Sequence, residues 1–240
     1  MPSRLAGRQS AAAEQPLDVG CGTGASALPA AERVGPRGHV LGIDLAERLL
    51  ETARHKAESR GLENIRFETG DMANLGFPDG HFDAVVCVFA IFFVPDMVGQ
   101  LRELWRMVRP GGRLAITTWG PRVLEPAASA WWDAVGEVRP ELVARTSPWD
   151  RITGVEAVRG LLRDGGIAEA EVVAEAAQQP LRSPEDWWTI VLGSGFRWTV
   201  EQLGAEAAAR VRTANLARIR AENITAVETN AIYAIARKPT

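Results

Sequence analysis

The stretch Leu17-Asp18-Val19-Gly20-Cys21-Gly22-Thr23-Gly24 constrains this chain more than any other. Three glycines fall within five residues, which is costly in backbone entropy. Such a run suits a place where a buried strand ends and the chain turns sharply with a ligand against bare backbone. Ala25 to Arg33 follows as a helix, whose first turn would offer unpaired N–H groups to that ligand. Asp44 stands twenty residues after Gly24, closing a second apolar run, His39-Val40-Leu41-Gly42-Ile43. A carboxylate at that place can accept both hydroxyls of a ribose. Strand, glycine loop, helix, strand and acid in this order make a unit for nucleotide-type cofactors.

The loop by itself leaves two other readings open. One is a tight strand-to-helix turn without a ligand. The other is the dinucleotide fingerprint in relaxed form, since Gly20-x-Gly22-x-x-Ala25 fits it. Asp18 argues against the second, because an acid two residues before the first glycine is poor company for a pyrophosphate. It is good company for a cationic group.

Further landmarks follow in order. Ala46 to Arg60 has an apolar stripe of Leu49, Leu50, Ala53 and Ala57, and Gly61 stops the helix. Asn64 to Glu68 is a third strand, ending at Gly70-Asp71-Met72. Phe77 to His81 is a turn, and Phe82 to Phe89 reads as a fully buried strand. Ala90 to Asp96 leaves its carboxyl end, the edge where open α/β sheets place ligands. A helix from about Asp96 to Val108 carries Leu101, Leu104, Trp105 and Val108 on one face. Arg109-Pro110-Gly111-Gly112 breaks it, and Arg113 to Trp119 is a fifth strand.

With these landmarks, Leu17 to Trp119 resembles the class I S-adenosylmethionine-dependent methyltransferases, in their small-molecule branch. The resemblance implies S-adenosylmethionine as cofactor. It implies that Asp18, Gly20, Cys21, Gly22, Thr23, Gly24, Asp44, Leu45, Asp71, Met72 and Phe89 hold it, Asp18 beside its amino and sulfonium groups. Asp71 and Met72 would take the adenine. It also implies a longer helical segment before the first strand. Here Met1 to Pro16 is a short leader, with Leu5-Ala6-Gly7 in part of one helix. A trimmed form, a truncated gene and a more open pocket all stay open.

The second half differs in character. Six of the chain's eight tryptophans, Trp131, Trp132, Trp149, Trp187, Trp188 and Trp198, lie beyond Pro121. Pro126 to Arg145 reads as one or two helices. Thr153 would cap a helix through Leu162, with Glu156 completing a capping box. Ala170 to Ala176 is a sixth strand. Ser183 caps a helix with Trp187 and Trp188, and a long Ala-rich helix runs to about Ala221. Thr229 to Arg237 is a last strand, in which Tyr233 packs. The whole is one domain: an α/β, doubly wound, Rossmann-like sheet of about seven strands, mostly parallel, with helical insertions. The core is 17–120, 153–180 and 228–238. By resemblance, the last strand is antiparallel, and insertions 121–152 and 181–227 cover the acceptor. Phe92, Phe93, Trp119, Trp131, Trp149 and Trp187 are candidates for an apolar acceptor pocket.

Composition narrows the partners. Lys and Arg number 27 against 30 Asp and Glu, and no polybasic stripe points to nucleic acid. Cys21 and Cys87 are too few for a disulfide framework or a cysteine zinc cluster. No secretory signal and no apolar run of spanning length appear, so a cytoplasmic monomer or homodimer without membrane contact is expected.

No catalytic residue is assigned. His39, His55 and His81 read as surface residues, and Phe92-Phe93 stand where many relatives carry His. Glu125, Asp150 and Glu185 are base candidates, each more readily a surface charge. No paired His with acids suggests a metal. The reading is a metal-free methyltransferase acting on an O, N or C nucleophile of a small, largely apolar acceptor. Methyl transfer from a sulfonium is an in-line displacement from an activated donor, so alignment and exclusion of water suffice. Two alternatives stay open: an NAD-type oxidoreductase, and a protein that binds S-adenosylmethionine without methylating.

Overall fold

The computed structural model describes residues 14–143 and 147–240. The first half holds β1 (Pro16–Val19), α1 (Ala27–Val34), β2 (Val40–Asp44), α2 (Glu47–Ser59), β3 (Ile65–Thr69), β4 (Phe82–Val88), α3 (Met97–Met107) and β5 (Val108–Trp119). Then come α4 (Ala127–Val138), α5 (Val155–Asp164), β6 (Glu171–Glu175), β7 (Gln178–Pro180), α6 (Pro184–Gly193), α7 (Phe196–Ala221), β8 (Ala226–Glu228) and β9 (Ala231–Arg237). Seven strands form one sheet in the order β3-β2-β1-β4-β5-β9-β6, and β7 and β8 form a separate pair.

β1 runs parallel to β2 and to β4, and β2 parallel to β3. β9 runs against β5: Gly111 N–H donates to the Lys238 carbonyl, and Gly120 N–H to that of Asn230. From β1 the order goes one way to β2 and β3 and the other way to β4 and β5. That reversal is a topological switch point, and ligands in such sheets sit at the carboxyl ends of the strands there. This is the doubly wound, mostly parallel sheet with an antiparallel last strand that the sequence suggests.

Packing divides the described residues into two compact units. The first holds those up to Ile116, with Asp164–Ala170 and Ile235–Thr240; the second holds Thr117–Arg163 and Glu171–Ala234. In the first, α1 and α2 bury Leu28, Ala31, Leu50, Ala53 and Ala57 with Phe67 of β3. Those positions are the apolar stripes of two amphipathic helices. In the second, α4, α6 and α7 gather Trp131, Trp187, Val211, Leu216 and Ile219 into a helical core. No helix among the described residues is long and apolar enough to cross a membrane.

Several boundaries differ from expectation. Thr153 does not cap α5; it closes a 3-10 turn, Pro148–Ile152, whose own capping box is Ser147 with Asp150. The pair β7–β8 was not expected, because three-residue strands carry no periodic signal. α7 is interrupted at Gly204, where φ is 72° and ψ 170°. The last strand begins at Ala231, and Tyr233 is exposed rather than packed. Ala231 and Ile232 are both buried, so strict alternation starts only after them. The helix expected around Leu5–Gly7, and residue Arg145, lie outside the described residues.

The chain end ties down a helix end. Lys238 Nζ donates to the carbonyls of Trp105 (2.9 Å), Arg106 (3.3 Å) and Val108 (2.7 Å). The same ammonium lies 5.5 Å from the Trp105 ring centroid. Trp105 and Arg106 lie in the last turn of α3 and Val108 opens β5, so the ammonium gathers the carbonyls of that junction. Lys238→Met keeps the stem and removes the donors. It should lower stability by about 1.5–3 kcal/mol, the range for hydrogen bonds to a charged group, as read by chemical denaturation.

Candidate active site

The glycine loop leaves β1 at the switch point, and its amides are largely used within the protein. The N–H groups of Gly20 and Cys21 both donate to the Ile43 carbonyl at the end of β2, at 2.8 and 3.0 Å. Gly22 N–H donates to Asp44 Oδ2 at 2.8 Å. Gly24 N–H closes a turn onto the Cys21 carbonyl. These four loop amides bind the second strand and the loop itself, so they are not free for a ligand. Asp44 is held from two sides, since its Oδ1 accepts the Ala46 N–H at 2.8 Å. A carboxylate has about four acceptor positions, so both oxygens keep one for a ligand.

The glycines have distinct reasons to be glycine. Gly20 has φ of 71°, and a Cβ there would lie 2.4 Å from Ala90 Cβ. Gly22 has φ of 52° with nothing within 4 Å of its Cβ direction. The space over Gly22 is open, while Gly20 is closed by the segment that leaves β4.

A cavity of about 430 Å³ opens beside this loop. Gly20, Gly22, Asp44, Leu45, Asp71, Met72, Phe89 and Phe93 line it, as the sequence reading expects. Ile43, Leu49, Gly70, Ala90 and Val94 also line it and were missed. Leu49 was read only as part of the α2 stripe, and Ala90 and Val94 follow β4 without any motif of their own. The segment after β3 shapes one wall: Asp71 Oδ1 accepts the Ala73 N–H at 2.9 Å and caps a short 3-10 turn, Met72–Asn74. The Leu45 and Phe93 side chains are 72% and 65% exposed, so the rim is apolar and open to an apolar molecule.

The other expected cofactor residues do not line the cavity. Cys21 turns its thiol into the core, in the cluster with Phe67. Burial pushes that thiol well up and the Cys87 thiol up to about 12, which removes both as nucleophiles. Thr23 has its carbonyl bound by Lys56 Nζ at 3.3 Å. Gly24 packs on Leu28 and Ala53.

Asp18 lies at the end of β1, 2% exposed. Its Oδ2 accepts the Ser26 hydroxyl at 2.6 Å, and its Oδ1 is buried with no partner. Ser26 stands at the N-cap of α1 but makes no side-chain cap bond; its hydroxyl serves Asp18. Burial raises the Asp18 pKa from 3.8 to about 6; the Ser26 hydroxyl lowers it, the Asp44 charge raises it and the Ala27 amide lowers it. A buried carboxylate oxygen without a donor is costly. A cationic amine or sulfonium would supply the missing partner. Asp18 does not line the cavity; its unpaired oxygen, the oriented Asp44 carboxylate and the open backbone at Gly22 are the groups of this loop that the chain itself leaves unused.

The expected acceptor walls are corrected in part. Phe92 is buried in a 3-10 turn, Ile91–Phe93, and does not line the cavity; Phe93 does. Trp131 and Trp187 are 0% exposed inside the helical core of the second unit, where large rings stabilise most by burial. Trp119 and Trp149 are half-buried in that unit. The base candidates have structural partners: Glu125 accepts from Ser129, Asp150 from Ser147 N–H, and Glu185 pairs with Arg220. His39, His55 and His81 are exposed. Among the described residues no group of three His, Cys, Asp or Glu is placed to hold a metal ion.

Comparison with known proteins agrees with this geometry. Residues 17–112 match the family model described as a methyltransferase domain. A nocamycin O-methyltransferase from Saccharothrix syringae is 39% identical over 64% of this chain and 56% of its own length. An aklanonic acid methyltransferase from a Streptomyces species is 45% identical over 44% of this chain and 48% of its own length. The match thus spans about half of each curated relative. The YcgJ protein of Bacillus subtilis superposes with a TM-score of 0.59 at 20% identity, over 95% of this chain and 93% of its own, which shows the shared fold. Residues 17–112 are thus similar to methyltransferase domains, and the likeness to solved structures shows the fold.

Asp18 gives this site a pH signature. Because its folded pKa is raised, the unfolded chain ionises first. The Asp18 contribution to stability is greatest below about pH 4, falls as pH rises toward 6, and is flat above. Asp18→Asn should therefore stabilise the ligand-free protein near pH 8, by up to about 3 kcal/mol for two pKa units, while weakening S-adenosylhomocysteine binding. Denaturation at pH 4 and pH 8, with calorimetry at pH 8, checks both signs.

Proposed function

We propose that this chain transfers the methyl group of S-adenosylmethionine to an oxygen, nitrogen or carbon nucleophile of a small, largely apolar molecule. One observation carries the reading: the glycine loop spends its amides on Ile43, Asp44 and Cys21 and is flanked by the carboxylates of Asp18 and Asp44. Such a loop suits a cation and repels a pyrophosphate, so it favours a sulfonium cofactor over NAD. In this reading Asp18 Oδ1 receives the cationic end, Asp44 the ribose hydroxyls, and Asp71 with Met72 the adenine. Gly22 leaves room for the ligand against the backbone. The apolar rim of Leu45, Leu49 and Phe93 receives the acceptor. The two relatives named for nocamycin and aklanonic acid support a small-molecule acceptor. Neither nucleic acid nor a membrane is a partner in this proposal, and the protein works in the cytoplasm.

No dedicated side-chain base takes part. Good alignment supplies roughly 7–11 kcal/mol of a barrier, and the apolar rim removes water from the reacting atoms. The acceptor reaches the site ionised, or is nucleophilic as a neutral molecule. For two acceptors whose pKa values differ by about two units, the kcat/KM–pH curves should move with the acceptor. Curves that share one inflection would reveal an enzyme base.

Asp44→Ala should weaken S-adenosylhomocysteine binding by about 1.5–3 kcal/mol, the range for hydrogen bonds to a charged group. Calorimetry on the folded variant checks it, and unchanged affinity removes Asp44 from the ribose site. Mass spectrometry of ligand carried through purification, followed by a labelled-methyl assay on hydroxylated aromatics, quinols and amines, tests the whole reading. Binding of NAD without response to S-adenosylhomocysteine would overturn it. Cofactor binding with no transfer to any acceptor would favour a non-methylating role.

A further inference from the structure

α3 buries Met97, Gln100, Leu101, Leu104 and Met107. Four of these five are apolar, at the spacing of a core-facing stripe. Gln100 is the exception, 6% exposed. A leucine would fill the same place without burying an amide, whose desolvation is costly unless it is hydrogen-bonded. The amide has one specific use in the structure. Gln100 Nε2 donates to the Met72 carbonyl at 2.9 Å.

Met72 stands in the segment after β3 that walls the cavity. Its side-chain Cε lies 3.4 Å from where a Cβ on Gly20 would be, so it reaches the glycine loop. The segment is fastened at its start by Gly70 N–H donating to the Asp44 carbonyl at 3.1 Å. Its middle is shaped by Asp71, which accepts the Ala73 N–H. These ties come from β2 and from the segment itself. The tie from α3 is Gln100, and it falls on the residue whose side chain lines the cavity.

We infer that Gln100 is a positioning residue for the cofactor: its buried amide fixes the Met72 carbonyl, and with it the wall against which the nucleoside end of the cofactor lies. It touches no ligand and acts through Met72 and Asp71. The inference rests on the cofactor reading proposed above, but its first consequence appears without any ligand. A segment fixed only at its start samples more positions, and binding must then select the competent one.

The experiment uses the full chain and two variants, Gln100→Leu and Gln100→Met. Leucine restores an apolar stripe, and methionine keeps the length of the side chain but cannot donate. Hydrogen exchange on the ligand-free protein should show Ala73 and Asn74 exchanging faster in both variants, with the α3 amides unchanged in Gln100→Leu. Calorimetry with S-adenosylhomocysteine should then show affinity lower by about five-fold in Gln100→Leu, the scale of one neutral hydrogen bond, at an unchanged unfolding midpoint. Unchanged exchange at residues 73 and 74 would overturn the inference, as would equal affinity of wild type and Gln100→Leu. Loss of affinity only in step with a lowered unfolding midpoint would also overturn it, since that is a structural role. If the wild type itself fails to bind, the cofactor reading falls, and the exchange result alone decides whether Gln100 holds the wall.

Discussion

The Ile43 carbonyl accepts two hydrogen bonds, from Gly20 and Cys21. This pair holds the glycine loop against the end of β2, and the Gly22–Asp44 bond extends the same seam by one residue. Much of the site follows from that seam. It consumes the amides that would otherwise attract an anion, and it sets the Asp44 carboxylate at the mouth of the cavity. Beside it, Asp18 keeps one carboxylate oxygen unpaired. In the proposed reading, the partner of that oxygen is the cationic end of the cofactor. A buried polar atom without a donor is disfavoured in folding, and a ligand is the economical explanation for retaining it.

How much of this was legible in the sequence depended on whether the signal was local. The strand–loop–helix–strand–acid order was legible, because Gly20, Gly22, Asp44 and the apolar runs lie close together and obey strong backbone rules. Part of the cavity lining, Gly20, Gly22 and Asp44, followed from it; Asp71, Met72 and Phe89 came with the family resemblance. The role of the individual loop residues did not follow. Cys21 and Gly24 share the motif with Gly22, yet Cys21 lies in the core and Gly24 against Leu28 and Ala53, while the space over Gly22 is open. Position in a motif names the segment, and tertiary packing decides which members face out.

The tryptophans show the opposite failure. Aromatic enrichment in the second half was read as a pocket, but Trp131 and Trp187 lie sealed within a helical core. Composition cannot separate a ring that waits for a ligand from one already packed on other rings. Trp187 even satisfies its indole on Asn215 Oδ1 at 2.8 Å, across 28 residues of sequence. Gln100 was invisible for a related reason: a polar residue on an apolar stripe has meaning only once its distant carbonyl is placed. The short pair β7–β8 had too few residues to show a period.

The contact between Gly20 and Ala90 limits how the cavity can be reshaped. Residue 20 has no side chain, and the room for one is taken by the methyl group at residue 90. Glycine is held at residue 20 twice over, by that methyl group and by the left-handed backbone, so a smaller residue at 90 would free the space but not the position. Designers who wish to reshape the cavity gain little by starting from this corner. The freer ground is the rim, where Leu45 and Phe93 stand with open space beside them.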